Sequence, residues 1–244
     1  MAKKEKIYQS INNSILKGEK LLAVLIDPDK MSIEMASNFI SKVNNSKATH
    51  IFVGGSTVED SATEKLVSEI KKQTRIPIVL FPGDVSQITN QADALLFLSL
   101  ISGRNPEYLI EKHIASVSKL RKMHLEVIPT GYILIESGHK TAVQRVTKTE
   151  PLSRNNIQQI VDTAKAGELL GMKLIYLEAG SGAFYPISSE IIKSVKKEIS
   201  IPLIVGGGIR TKEQLLLAYN SGADLVVIGT AFEDDESFFE ELKN

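Results

Sequence analysis

Apolar runs alternate along this chain with segments that repeat every three to four residues. The runs Leu21–Asp27, His50–Gly54, Pro77–Phe81, Ala94–Leu98, Leu125–Pro129, Leu174–Glu178, Pro202–Val205 and Leu225–Ile228 predict eight strands. They are apolar throughout rather than alternating, as strands covered on both faces must be. Between them, helical periodicity predicts helices near Ile33–Val43, Glu59–Gln73, Pro106–Arg121, Arg154–Leu170, Ser188–Glu198 and Lys212–Ser221. Thr211 before one of these and Gly222 after it are cap and stop signals. Eight strand-then-helix units predict a parallel sheet closed into a (β/α)8 barrel. Upstream, Ile7, Ile11, Ile15 and Leu16 mark one face of a further helix, read as a cover for the barrel floor.

Two units depart from the pattern. About a dozen residues separate the third and fourth strands, barely room for a crossover helix, so a shortened or missing third helix is expected. Conversely, Gly131–Pro151 is too long for a plain loop and lies where a barrel builds its active site. The length of 244 residues fits a single barrel domain over residues 1–244.

Charge adds mainly exclusions. Lys plus Arg and Asp plus Glu are both 29, so no basic surplus points to nucleic acid. There is no cysteine, which removes disulfides and thiolate metal sites and fits a reducing cytoplasm. The first residues have early lysines but no long apolar core, unlike a signal peptide. No run of about 18 apolar residues predicts a membrane span.

The candidate chemistry sits at the predicted strand ends. Three glycine-rich turns follow late strands: YLEAGSGA from Tyr176, VGGGIR from Val205 and VVIGTAF from Val226. Glycine lets backbone N–H groups approach a ligand, and a helix starting after the turn favours an anion. The second and third turns, with Gly207, Gly208, Gly229 and Thr230, read as a phosphate grip. The first brings Glu178, a potential base, and Tyr176 to the same rim. At the opposite rim, LIDPDK offers Asp27 and Asp29 as hard oxygen ligands suited to Mg²⁺, or as a simple turn. VGGST adds Ser56, readable as a ligand sharing one ion with Asp27 or as a helix cap beside Thr57. The acidic cluster Glu233–Ser237 reads as the first turn of the last helix rather than a diphosphate site. Of the four histidines, His113 and His124 are expected on or beside a helix surface, His139 in the insertion as a solvated or diphosphate-contacting residue, and none shows metal-ligand spacing. Leu95, Leu96, Phe97, Leu98, Leu100 and Ile101 fit ordinary core or the wall of a prenyl groove.

Taken together, IDPDK, FVGGST, PTGYILIESG, YLEAGSGA, VGGGIR and VVIGTAFED resemble the geranylgeranylglyceryl phosphate synthase family, in the family's order and over nearly the whole chain. The resemblance implies a modified barrel with an irregular third unit. It implies transfer of a geranylgeranyl group from its diphosphate to the 3-hydroxyl of sn-glycerol 1-phosphate, with Mg²⁺ held by Asp27 and Ser56. It also implies that glycerol phosphate is held by Tyr176, Leu177, Glu178, Ala179, Gly180, Ser181 and Gly182, by Gly207 and Gly208, and by Gly229 and Thr230. Homo-oligomers and transient membrane contact are further implications. Leu25 stands where bacterial heptaprenyl-transferring relatives tend to carry Lys, and Gly229-Thr230 where some members have Gly-Asn. Other phosphate-binding barrels, isomerases or lyases, share the glycine grip alone.

Overall fold

The computed structural model describes residues 6–59, 61–229 and 231–232. Eight parallel strands close into a barrel in chain order. They are β1 (Leu21–Ile26), β2 (His50–Val53), β3 (Ile78–Leu80), β4 (Ala94–Leu100), β5 (Glu126–Leu134), β6 (Leu174–Glu178), β7 (Leu203–Gly206) and β8 (Leu225–Ile228). Among the described residues lie helices α1 (Lys6–Leu16), α2 (Ile33–Asn44), α3 (Ala62–Gln73), α4 (Lys112–Leu120, entered through a π-helical turn over Glu107–Glu111), α5 (Ala142–Thr147), α6 (Ile157–Leu169), α7 (Ser189–Glu198) and α8 (Lys212–Asn220).

Side chains alternate across each strand, so the barrel has two apolar layers. Leu22, Val24, Ile51, Val53, Ile175 and Leu177 face the helices in the outer layer. Leu21, Ala23, Phe52, Leu96, Ile128, Tyr176 and Val227 fill the interior. Helix α1 closes the floor: Ile11 is buried there, with Ile7 and Ile15 packed on the interior layer. Leu16, read as part of that apolar face, is instead exposed. The buried carboxylate of Glu126, at the start of β5, accepts the first free amides of α1, Ile7 N at 2.7 Å and Tyr8 N at 3.0 Å.

The third unit has no crossover helix. Its place is taken by one 3-10 turn, Val85–Gln87, which Asp84 caps by accepting Ser86 N at 3.0 Å. The fifth strand runs further than expected, through Gly131 to Leu134. Pro129 does not end it, because its carbonyl still accepts Lys173 N at 2.8 Å. Neighbours on both sides are long enough to pair, Leu100 with Tyr132 and Leu134 with Glu178. The insertion therefore begins after Leu134 and carries α5, opened by a Thr141–Gln144 capping box. Helix α3 starts at Ala62, after Ser61, and not at Glu59. Neither Ser56 nor Thr57 caps it, which leaves residues 54–59 as a loop at the barrel mouth.

Candidate active site

Chain direction places every strand's C-terminal end at one mouth, where a (β/α)8 barrel carries its chemistry. Asp27, Ser56, Tyr176, Glu178, Gly180, Ser181, Gly182, Gly207, Gly208 and Gly229 line a single cleft there. Thr230 and the acidic residues Glu233–Ser237 lie outside the described residues. Leu177 and Ala179 belong to the outer layer and line no part of the cleft. Their neighbours Tyr176 and Glu178 point inward, as strand alternation requires.

On the β6–β7 side, Glu178 is buried at the foot of the cleft. Its Oε1 accepts Gly180 N at 2.6 Å. Burial pushes its carboxyl up to about 7, opposed by the Gly180 amide and by the neighbouring Tyr176 hydroxyl. The Tyr176 hydroxyl is itself buried with no partner at hydrogen-bond geometry. Its ring is fixed by Phe81, stacked with centroids 5.3 Å apart, and by Tyr132, edge-on at 5.3 Å. Burial, followed by the nearby Glu178 charge, holds the phenols of Tyr132 and Tyr176 well above their ordinary range. Gly207, at φ +83°, lies against this carboxylate: a Cβ there would come within 2.5 Å of Glu178 Oε1. The turn thus needs glycine for both its left-handed backbone and its close approach. Arg210, at the end of the same VGGGIR segment, donates from its guanidinium to the Ala183 carbonyl at 2.9 Å.

On the β1–β2 side, Ile26 pairs with Val53, so the residues after them emerge side by side. Asp27 begins a turn whose Asp29 N donates to Asp27 Oδ1 at 3.1 Å. The turn and ligand readings of LIDPDK are therefore compatible. Gly55 crosses so close that a Cβ would sit 2.7 Å from Asp27 Oδ1. That approach brings Ser56, the next residue, to the same edge of the cleft as Asp27. A carboxylate and a hydroxyl are hard oxygen donors and leave most positions of an octahedral ion to water and phosphate oxygens, the coordination Mg²⁺ prefers. The donor set fits that ion. No cluster of three or more His, Cys, Asp or Glu that could hold a metal occurs among the described residues.

From Gly55 and Ser56 a second, largely apolar cavity runs between β3, β4 and α4, into space a third-unit helix would otherwise occupy. Leu95, Leu96, Phe97, Leu98 and Leu100 line it, with Phe81, Tyr108 and Val143. These β4 residues are therefore wall as well as core.

Several cleft residues escape a strand-end reading. Lys30, Lys140, Arg145 and Arg210 give the cleft a cationic rim, His139 lines it beside them, and Tyr132 reaches it from the unexpected extension of β5. Lys30 lies inside LIDPDK and Arg210 inside VGGGIR, so membership of those motifs was the available signal. His139 lines the cleft with its ring 5.1 Å from Phe184, half-buried rather than solvated. His113 is buried on the inner face of α4, its Nε2 3.1 Å from Ser99 Oγ, and not on a helix surface.

Known proteins match this arrangement over its whole length. The PcrB family model matches residues 13–244. The geranylgeranylglyceryl phosphate synthase of Flavobacterium johnsoniae is 56% identical over 240 residues, 97% of this chain and 99% of that protein. The synthase of Pyrococcus abyssi is 40% identical, covering 98% and 95%. The crystal structure of (S)-3-O-geranylgeranylglyceryl phosphate synthase from Thermoplasma acidophilum, in complex with sn-glycerol-1-phosphate, superposes with a TM-score of 0.90 at 32% identity, covering 97% of this chain and 95% of that one. With the irregular third unit, the glycine grip and the paired Asp27–Ser56 edge all in place, this chain belongs to the PcrB family, the geranylgeranylglyceryl phosphate synthases.

Proposed function

We propose that this protein joins the geranylgeranyl group of geranylgeranyl diphosphate to the 3-hydroxyl of sn-glycerol 1-phosphate, giving an ether-lipid precursor and diphosphate. The observation that carries this reading is the layout of the cleft. A glycine grip with a buried base faces an Asp–Ser edge from which an apolar cavity departs. One end suits a small phosphorylated alcohol and the other a diphosphate with a long hydrocarbon tail.

Gly207 and Gly208, with Gly229 and Thr230, would hold the glycerol phosphate, while Ser181 and Gly182 close over it. Held there, the alcohol meets its partner in a fixed geometry rather than by free encounter. Its oxygen attacks the allylic carbon, the carbon–oxygen bond to diphosphate breaks, and diphosphate leaves with the electron pair. Glu178 takes the hydroxyl proton. A carboxyl raised to about 7 suits that task, being a stronger base than an exposed glutamate yet substantially ionised at neutral pH. The Gly180 amide fixes Oε1, leaving Oε2 for the proton. The Tyr176 hydroxyl, buried and without a partner, is placed to orient the alcohol. Asp27 and Ser56 would hold Mg²⁺, which when bound supplies positive charge to the departing diphosphate. The cationic rim supplements that charge.

No helix among the described residues is long and apolar enough to cross a membrane. We place the reaction in the cytoplasm, with the lipid product as the reason for transient membrane contact. Ile110, Ile114 and Val117 stand exposed on one face of the α4 unit and support association between copies of the chain.

The test is incubation with Mg²⁺, labelled sn-glycerol 1-phosphate and geranylgeranyl diphosphate. Organic-extractable label with matching diphosphate release is expected. Folded protein that yields neither would overturn the assignment.

A further inference from the structure

We propose that Gln87 is the positioning residue for the diphosphate end of the cleft, a role that rests on the prenyl-transfer reading above. Gln87 belongs to the 3-10 turn that stands in for the third helix. Its side chain is buried and lines neither the cleft nor the apolar cavity, so it acts through its neighbours. Its amide clasps one residue through the peptide groups on both sides of it: Nε2 donates to Gly55 O at 2.9 Å, and Oε1 accepts Gly55 N at 3.4 Å. The same Oε1 accepts Gly83 N at 3.3 Å, so one side chain ties the loop after β2 to the loop after β3.

Gly55 is the residue whose orientation matters. It lies against the Asp27 carboxylate and leads directly into Ser56. Any rotation of the Gly55 peptide moves the Ser56 hydroxyl relative to Asp27. From behind, Gly83 leaves no slack: a Cβ there would be 2.5 Å from Gly55 O and 2.8 Å from Ser56 O. The clasp is itself anchored. Asp84 forms an ion pair with Lys112 at the start of α4, and Lys119 Nζ reaches the Val85 and Ser86 carbonyls at 3.4 and 3.3 Å. A chain of contacts therefore runs from α4 through the turn and Gln87 to the Asp27–Ser56 edge. Among the described residues, no corresponding bond links Gln87 to the glycine grip on β6–β8.

The requirement for an amide is specific. Leucine has similar bulk but takes the partner from two half-buried N–H groups and one carbonyl. Glutamate keeps the acceptor and sets a charge against the Gly55 carbonyl. Groups that orient metal ligands typically alter affinity about 10–100-fold when removed. Gln87→Leu and Gln87→Glu are therefore expected to raise the KM for geranylgeranyl diphosphate and the Mg²⁺ concentration for half-activation by about tenfold or more. The KM for sn-glycerol 1-phosphate should move less than about twofold.

Calorimetry supplies a readout independent of turnover. Binding of an unreactive geranylgeranyl thiolodiphosphate with Mg²⁺ should weaken by the same factor, and glycerol 1-phosphate binding should not. Equal weakening at both ends, or unchanged constants at both, overturns the positioning role. Wild-type protein that makes no product from any prenyl diphosphate sinks the functional reading instead. Wild-type turnover with unaltered variants sinks Gln87 alone. Should Gln87→Leu fail to fold, Gln87→Glu carries the comparison.

Discussion

Replacing Glu178 with glutamine should make the protein more stable and less active, and the gain in stability should depend on pH. Burial lifts this carboxyl from its ordinary 4.5 to about 7. The folded state therefore holds the proton more tightly than the unfolded chain. Stability from this group is greatest below pH 4.5, falls as pH rises through the interval, and levels off above about 7. At about 1.4 kcal/mol per unit, the full penalty is on the order of 3 kcal/mol, of which about 2 kcal/mol develops between pH 5.5 and 8. Glutamine has the same shape, can still accept the Gly180 amide, and carries no charge to desolvate. Urea unfolding of wild type and Glu178→Gln at those two pH values isolates the term, because other titrating groups cancel between the proteins. The variant's advantage should grow by about 2 kcal/mol from pH 5.5 to 8. In the same variant turnover should fall at least about a hundredfold, within the usual range for losing a general base. A stability difference that does not change with pH would refute the argument that burial sets this group's protonation. Near-normal turnover would remove Glu178 from the proton transfer.

Wild-type kcat/KM should rise with pH through about 7 and then flatten, and this rise should vanish in the residual activity of Glu178→Gln. Tyr176→Phe keeps the ring contacts but deletes a buried hydroxyl without a partner; stability should hold or rise by about 1 kcal/mol in urea, while turnover drops. Gly207→Ala forces a side chain into a left-handed backbone at about 1–2 kcal/mol and against Glu178, so the KM for glycerol phosphate should rise more than that for the prenyl diphosphate. Glu126→Ala strips the acceptor from two amides of α1 and should cost about 2 kcal/mol in urea unfolding with little change in kcat, since it lies at the barrel floor.

The sequence reading reached furthest where one physical cause dominated. Strands covered on both faces must be apolar throughout, so all eight stood out, and their ends identified the mouth. The short third unit was readable because a crossover needs a minimum chain length. The fifth strand, read as Leu125–Pro129, was read too short: long neighbours on both sides keep the ladder going past Pro129 and carry Tyr132 into the cleft. The start of α3 was placed too early because Ser56, Thr57 and Glu59 look like a cap and first turn. The chain spends these three on the mouth loop instead. Leu177 and Ala179 came in with a motif read as a block, and alternation then sent their side chains to the other side of the sheet. Gln87 was invisible, since a buried glutamine in a short linking segment has no pattern of its own. Its partners are main-chain groups that any sequence would supply.

The missing helix connects these observations. In a regular barrel each crossover helix covers its strand and keeps the outer layer dry. Removing one uncovers β3 and β4 and opens an apolar cavity beside the mouth, which a hydrocarbon tail can fill at the usual gain of about 25 cal/mol per Å² buried. The same removal takes away the support that would have fixed the loop after β2. The 3-10 turn restores that support with a single amide and ties it to α4 through Lys112 and Lys119. The cavity proposed for the tail and the clasp proposed to orient the diphosphate thus both follow from one departure from the regular fold. The glycerol phosphate end, built on the regular units β6 to β8, needed no such alteration. A substitution confined to residues 83–87 should therefore affect one substrate and spare the other.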